Sequence, residues 1–200
     1  CIRDSVMQAA TYLIRDDAST FHTYYMDVAT GAPRYGNTQQ GYADDSCWSR
    51  GQAWGIYGFL LSYIYTGDET MIALSKRLAN YFLNRLPEDY VCHWDLALVG
   101  TDALRDSSSA AIAVCGLLEL VKHLPVTDPD RERYLEWATG IMSSLTKHYL
   151  MGKEEKGNGL LKHSVYHLAS NKGVDECASW GDYFYVEALV RFTQSWKLYW

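Results

Sequence analysis

The sequence lacks an excess of positive charge. Its 18 Lys and Arg face 24 Asp and Glu, for a formal net charge of -6, which argues against a nucleic-acid binder. It lacks an apolar run of membrane-spanning length and a signal-peptide pattern at its start. No CxxC pair occurs among its five cysteines, an odd count. A disulfide framework and a structural zinc site are therefore disfavoured, and a reducing, cytoplasmic setting is expected. Nucleotide-binding glycine loops and a GxSxG nucleophile elbow are missing as well. With 48% apolar and 21% charged residues in 200, disorder is excluded and one ordinary core is affordable. What is abundant is aromatic: 14% of residues, including seven Trp and 16 Tyr. Such side chains fill cores, and they also line clefts that hold sugar rings.

Periodicity predicts six helices, near 1–16, 48–66, 69–86, 107–123, 128–150 and 181–196. Strand signals are short and lie in loops, at Thr20–Val28, Val91–Leu96 and Gly159–Leu168. The helices alternate in character. Segments 69–86 and 128–150 have one apolar and one charged face, whereas 48–66, 107–123 and 181–196 are apolar on nearly all sides and must be enclosed. Links from inner to outer helices are short; those at 17–47, 87–106 and 151–180 are long. Antiparallel packing then gathers the three long loops at one rim, together with the first turns of the inner helices. His22, His93 and His163 recur in those loops, and Asp45-Ser46, Asp106-Ser107 and Ser179 to Asp182 are candidate caps for the following helices. The pattern is all-α and predicts part of an (α/α)6 toroid, with about three helical hairpins present.

Three hairpins make an arc, not a ring. Cys1-Ile2-Arg3-Asp4 leads into helix without a cap, a Met or a leader. The expectation is that residues 1–200 form the C-terminal half of a single barrel domain, prone to self-association along its open edge; closure by a second copy is the alternative.

Arg50 and Trp54 lie four apart, on one face of the first turns of an inner helix. A planar guanidinium suits a carboxylate and an indole offers a stacking surface, a pair fit for an acidic sugar. The competing reading pairs Arg50 with Asp44 or Asp45 and puts Trp54 in the core. His22 and Gln40 precede that helix and can hydrogen-bond a hydroxyl, or His22 can move protons. Lys153, Lys156, Lys162 and Lys172 make the third loop basic. A metal site at His163 and His167 is disfavoured because that stretch reads as strand.

The run Gly41 to Trp54, GYADDSCWSRGQAW, closely resembles glycoside hydrolase family 88, the unsaturated glucuronyl hydrolases. The likeness continues through Tyr57-Gly58-Phe59, Asp106 to Ala110, Gly159 to His163, Asn171 to Glu176 and Trp180 to Phe184. The sister family acting on unsaturated rhamnogalacturonan has Gly where Ala53 stands, so Ala53 favours the glucuronyl enzymes. The resemblance implies a six-hairpin barrel without metal or organic cofactor. It implies hydration of the C4=C5 vinyl ether of the unsaturated uronic acid at the non-reducing end of lyase-generated disaccharides and oligosaccharides, with an Asp as proton donor. His22, Gln40, Arg50, Trp54 and Tyr166 match its substrate contacts. Its sulfate-recognising Ser-x-x-Ser-x-Lys pattern is met by Ser170 and Lys172, with His167 in place of the first Ser. No position matches the catalytic Asp, which is expected upstream of Cys1, so this chain alone is expected to lack the proton donor. The rhamnogalacturonyl activity and a non-catalytic remnant that binds acidic sugar are the alternatives.

Overall fold

A computed structural model describes residues 2–195 and 197. Among these residues six α-helices follow one another: α1 (Ile2–Leu13), α2 (Ser49–Thr66), α3 (Thr70–Leu83), α4 (Ser107–His123), α5 (Asp130–Ser144) and α6 (Ser179–Thr193). A π-helical turn, Leu145–Tyr149, extends α5. These match the predicted helices to within a few residues, apart from positions 1 and 196, which lie outside the described residues.

α4 is the centre of the arc. Every residue from Ser107 to Val121 is buried, which explains the absence of a polar face. Its small residues admit close neighbours: a Cβ on Gly116 would stand 3.2 Å from the Tyr57 backbone N of α2. α2, α5 and α6 all pack on α4, and α3 packs chiefly on α2. α2 stops where Gly67 turns left-handed (φ 68°) and its N–H closes onto Tyr63 O at 2.7 Å. α3 then folds back, and Ser75 Oγ donates to Ile56 O at 2.8 Å. α1, by contrast, has no fully buried residue.

The long loops do gather at the starts of the inner helices. The second loop crosses the start of α2, where Ser49 N donates to Trp94 O. The third crosses the start of α4, where Ser107 N donates to His163 O. Two small antiparallel hairpins stand on this rim: β1 (Thr23–Met26) with β2 (Pro33–Asn37), and β3 (Ser164–His167) with β4 (Lys172–Glu176). The stretch Val91–Leu96 forms only isolated bridges, at His93 and Asp95, and no strand.

Capping departs from expectation. Asp106 caps α4, its carboxylate accepting from Ser108 N and Ser109 N. α2 and α6 start at Trp48 and Ala178 without a side-chain cap. Asp182 instead accepts Leu160 N (3.0 Å) and Leu161 N (2.8 Å), tying the third loop to α6.

Candidate functional site

Arg50 sits in the first turn of α2 and is only 4% exposed. Its guanidinium donates to Asp106 Oδ2 (2.9 Å), Val165 O (2.9 Å), Ser108 Oγ (3.3 Å) and Tyr166 O (3.0 Å). Its partner is therefore Asp106, the α4 cap 56 residues away, not Asp44 or Asp45; Asp44 accepts Thr38 N instead. Burial pulls the Arg50 pKa down while Asp106 opposes that shift; an Arg remains charged regardless. The guanidinium lies between two indoles, 4.6 Å from the Trp48 ring and 5.2 Å from that of Trp180. His22 stacks beyond Trp48 at 4.4 Å, and Tyr166 lies beyond Trp180 at 5.6 Å. His22, Trp48, Arg50, Trp180 and Tyr166 thus form a chain of neighbouring rings and guanidinium, with both ring pairs tilted rather than parallel.

His22 is half-buried just before β1. Its Nδ1 faces the backbone N–H groups of Gln39 (3.0 Å) and Gln40 (3.1 Å). Accepting from both requires the neutral ring with its proton on Nε2. Burial lowers its pKa, and the nearby Arg50 and His167 lower it further. At neutral pH the imidazole is a hydrogen-bond donor through Nε2.

Gln40 Nε2 donates to Tyr166 O at 2.5 Å, the same carbonyl that Arg50 holds. Two side chains from the first loop and α2 therefore pin the β3 backbone. The Tyr166 ring itself is 46% exposed.

Trp54 follows Arg50 by one turn and is 38% exposed, its ring edge-on to Phe184 at 5.1 Å. With His22 and Trp48 it lines a cavity of about 480 Å³ between α1 and α2. Arg50 does not line that cavity; it lies behind Trp48. No carboxyl group is among the cavity's lining residues.

Ser170 and Lys172 lie at the tip of the β3–β4 hairpin. Ser170 N and Oγ contact His167 Nδ1 at 3.0 and 2.5 Å, so the residue in place of the family's first Ser holds the second one. Lys172 is exposed and makes no side-chain bond among the described residues. The three loop histidines do not converge. His93 contacts Ala103 O and Arg105, and His163 pairs with Asp175 at 2.7 Å. No group of three metal-ligating side chains occurs among the described residues. Sequence reasoning missed Trp48, Trp180 and Asp106 as the frame of Arg50. The only sequence signal for them was a Trp or Asp at the entry of each inner helix.

No family model matches the chain. Curated relatives do. It is 52% identical over 193 residues to the unsaturated chondroitin disaccharide hydrolase of Streptococcus pneumoniae, covering 96% of this chain and 49% of that one. It is 38% identical to the unsaturated glucuronyl hydrolase of a Bacillus species, covering 97% of this chain and 52% of the other. The crystal structure of the unsaturated glucuronyl hydrolase of Streptococcus agalactiae superposes with a TM-score of 0.91 at 51% identity, over 96% of this chain and 49% of that one. The chain belongs to the unsaturated glucuronyl hydrolases. It spans about half the length of the relatives it matches. Its six helices match about half of the helical toroid of these neighbours, as expected for part of such a toroid, with the rim loops above the inner-helix starts.

Proposed function

We propose that this chain is the C-terminal half of an (α/α)6 barrel and carries the substrate-binding wall of an unsaturated glucuronyl hydrolase. Its ligand is the 4,5-unsaturated uronic acid at the non-reducing end of lyase-generated disaccharides and oligosaccharides. The carrying observation is that His22 and Trp54 line one cavity, which runs between α1 and α2. There Trp54 offers an aromatic face and His22 Nε2 a donor. Gln40 keeps its carboxamide oxygen for a hydroxyl. Arg50, held by Asp106, carries its positive charge behind Trp48 and holds the Tyr166 carbonyl, with the Tyr166 ring against Trp180 outside the cavity lining. Ser170 and Lys172, farther along the same hairpin, offer a hydroxyl and a cation for a neighbouring sugar.

The reaction is hydration of the vinyl ether, in which a carboxylic acid protonates C4 and water adds at C5. The cavity lining offers no such acid, and Asp95 and Asp106 are sealed (0% exposed) and occupied by hydrogen bonds. The proton donor then belongs to the other half of the barrel. Two edges support that arrangement: α1 buries no residue fully, and Val186, Leu189 and Phe192 of α6 are 44, 41 and 39% exposed. Without that half these edges self-associate. The sealed thiols of Cys47, Cys92 and Cys115 fit a cytoplasmic setting.

The test is an assay of these 200 residues with unsaturated chondroitin disaccharide, following the ultraviolet absorbance of the conjugated double bond. Binding without turnover is expected. Turnover by this polypeptide alone overturns the assignment of the proton donor.

A further inference from the structure

The β1–β2 hairpin carries an aromatic surface that the disaccharide site does not use. Tyr25 and Tyr35 are cross-strand partners. Their rings lie 5.1 Å apart and only 30° from parallel, and they are 38% and 48% exposed. The opposite face of the hairpin is anchored: Tyr24 packs on Tyr12 of α1 at 5.3 Å. A Cβ on Gly36 would lie 2.4 Å from the Phe21 ring, so Phe21 and Gly36 are in close contact. The exposed rings therefore stand on a fixed base.

The surface is continuous with the site. Gln39 Nε2 donates to Tyr25 OH at 3.2 Å, while Gln39 N donates to His22 Nδ1. One residue thus links the platform to the histidine of the cavity. A strand rises about 3.3 Å per residue, so Tyr25 stands about 10 Å beyond His22, on the order of two sugar rings away. At its edge the exposed Arg34 lies with its guanidinium carbon 5.6 Å from the Tyr35 ring. Arg34 makes no hydrogen bond or ion pair among the described residues.

We propose that Tyr25 and Tyr35 form an outer subsite for the sugar rings that follow the first two of a longer acidic oligosaccharide, with Arg34 facing a carboxylate or sulfate on them. This rests on the reading of the His22–Trp54 cavity as the site for the unsaturated residue. Two adjacent exposed rings, tilted 30° to each other, offer aromatic faces to the C–H faces of pyranoses, and a guanidinium without a carboxylate partner among the described residues suits an anionic substituent.

The experiment is calorimetric titration of the protein with unsaturated chondroitin disaccharide and with the corresponding tetrasaccharide. Tetrasaccharide affinity is expected to exceed that of the disaccharide by about three- to tenfold, the range typical of one aromatic pair. Tyr35→Ala should remove that gain and leave disaccharide affinity unchanged, while Tyr35→Phe retains it. Arg34→Gln should weaken only the tetrasaccharide, most at low salt. In the unmutated protein, the tetrasaccharide should shift the Tyr25 and Tyr35 ring signals by NMR and the disaccharide should not. Equal affinities for the two sugars, or unshifted ring signals with bound tetrasaccharide, overturn the outer subsite alone. Failure of both sugars to bind overturns the outer subsite and the cavity assignment together.

Discussion

Arg50 and Asp106 form a 2.9 Å ion pair between the first turn of one inner helix and the cap of the next, with side chains 4% and 0% exposed. Asp106 is also the cap of α4, and Arg50 also grips the carbonyls of Val165 and Tyr166. One pair thus ties α2, α4 and the third rim loop together. It is a keystone for the rim as much as a charge near a ligand.

Breaking it should be costly. Removing one partner of a buried, hydrogen-bonded ion pair costs about 3–5 kcal/mol. Arg50→Ala and Asp106→Ala should each lower urea-unfolding stability by that order, and the double variant by clearly less than their sum. Additive losses would show that the two residues act independently.

His22 gives a pH prediction. Its pKa is below the ordinary 6.5, so below that pH the unfolded chain binds the proton more readily than the folded one. The stabilisation this provides is complete above about pH 6.5 and fades as the pH falls toward the folded value. Nitrogen-detected NMR should find Nδ1 unprotonated and Nε2 protonated at pH 7. A proton on Nδ1, or a midpoint above the ordinary value, would contradict the geometry.

The glycines of the inner helices should separate by environment. A Cβ on Gly58 meets nothing within 4 Å, whereas on Gly116 it meets Ile56 Cγ2 at 2.9 Å and the Tyr57 backbone at 3.2 Å. Gly58→Ala should stabilise by up to about 1 kcal/mol through helix propensity. Gly116→Ala should lose about 1–3 kcal/mol to overpacking. Thermal and urea unfolding read both.

Thiol chemistry should follow burial. Cys47 is pushed up to about 11 by desolvation, and Cys92 and Cys115 are raised well above the ordinary value by burial. Cys177 alone among these four is exposed. Alkylation of the folded protein followed by peptide mass mapping should label Cys177 first and the other three only on unfolding.

The helices were legible because burial leaves a pattern. The run Ser107 to Leu120 has one charged residue, Glu119, and Glu119 answers Arg191 of α6 inside the fold. β2 and β4 were not legible. Their sequences, PRYGN and KGVDE, carry Pro, Gly and charge and lack alternation, because neither strand has a buried face. The Arg50 partner was also hidden. A local search finds Asp44 and Asp45, but adjacency of inner helices brings Asp106 from the next repeat. Arg50 and Trp54 share a helix face, as their spacing requires, yet the rim loops seal the first and leave the second open. Tyr166 was legible only through family likeness, and His22 and Gln40 only as loop groups able to hydrogen-bond a hydroxyl; the contacts that join Gln40 to Tyr166 cross 126 residues.

The most direct measurement is calorimetric titration of unsaturated chondroitin disaccharide into the protein and its Trp54→Ala variant. The account predicts one site per chain and an affinity at least about tenfold weaker in the variant, the scale of a lost stacking partner. Equal affinity in the two proteins would contradict it, because the open indole beside His22 would then have no part in holding the acidic ring.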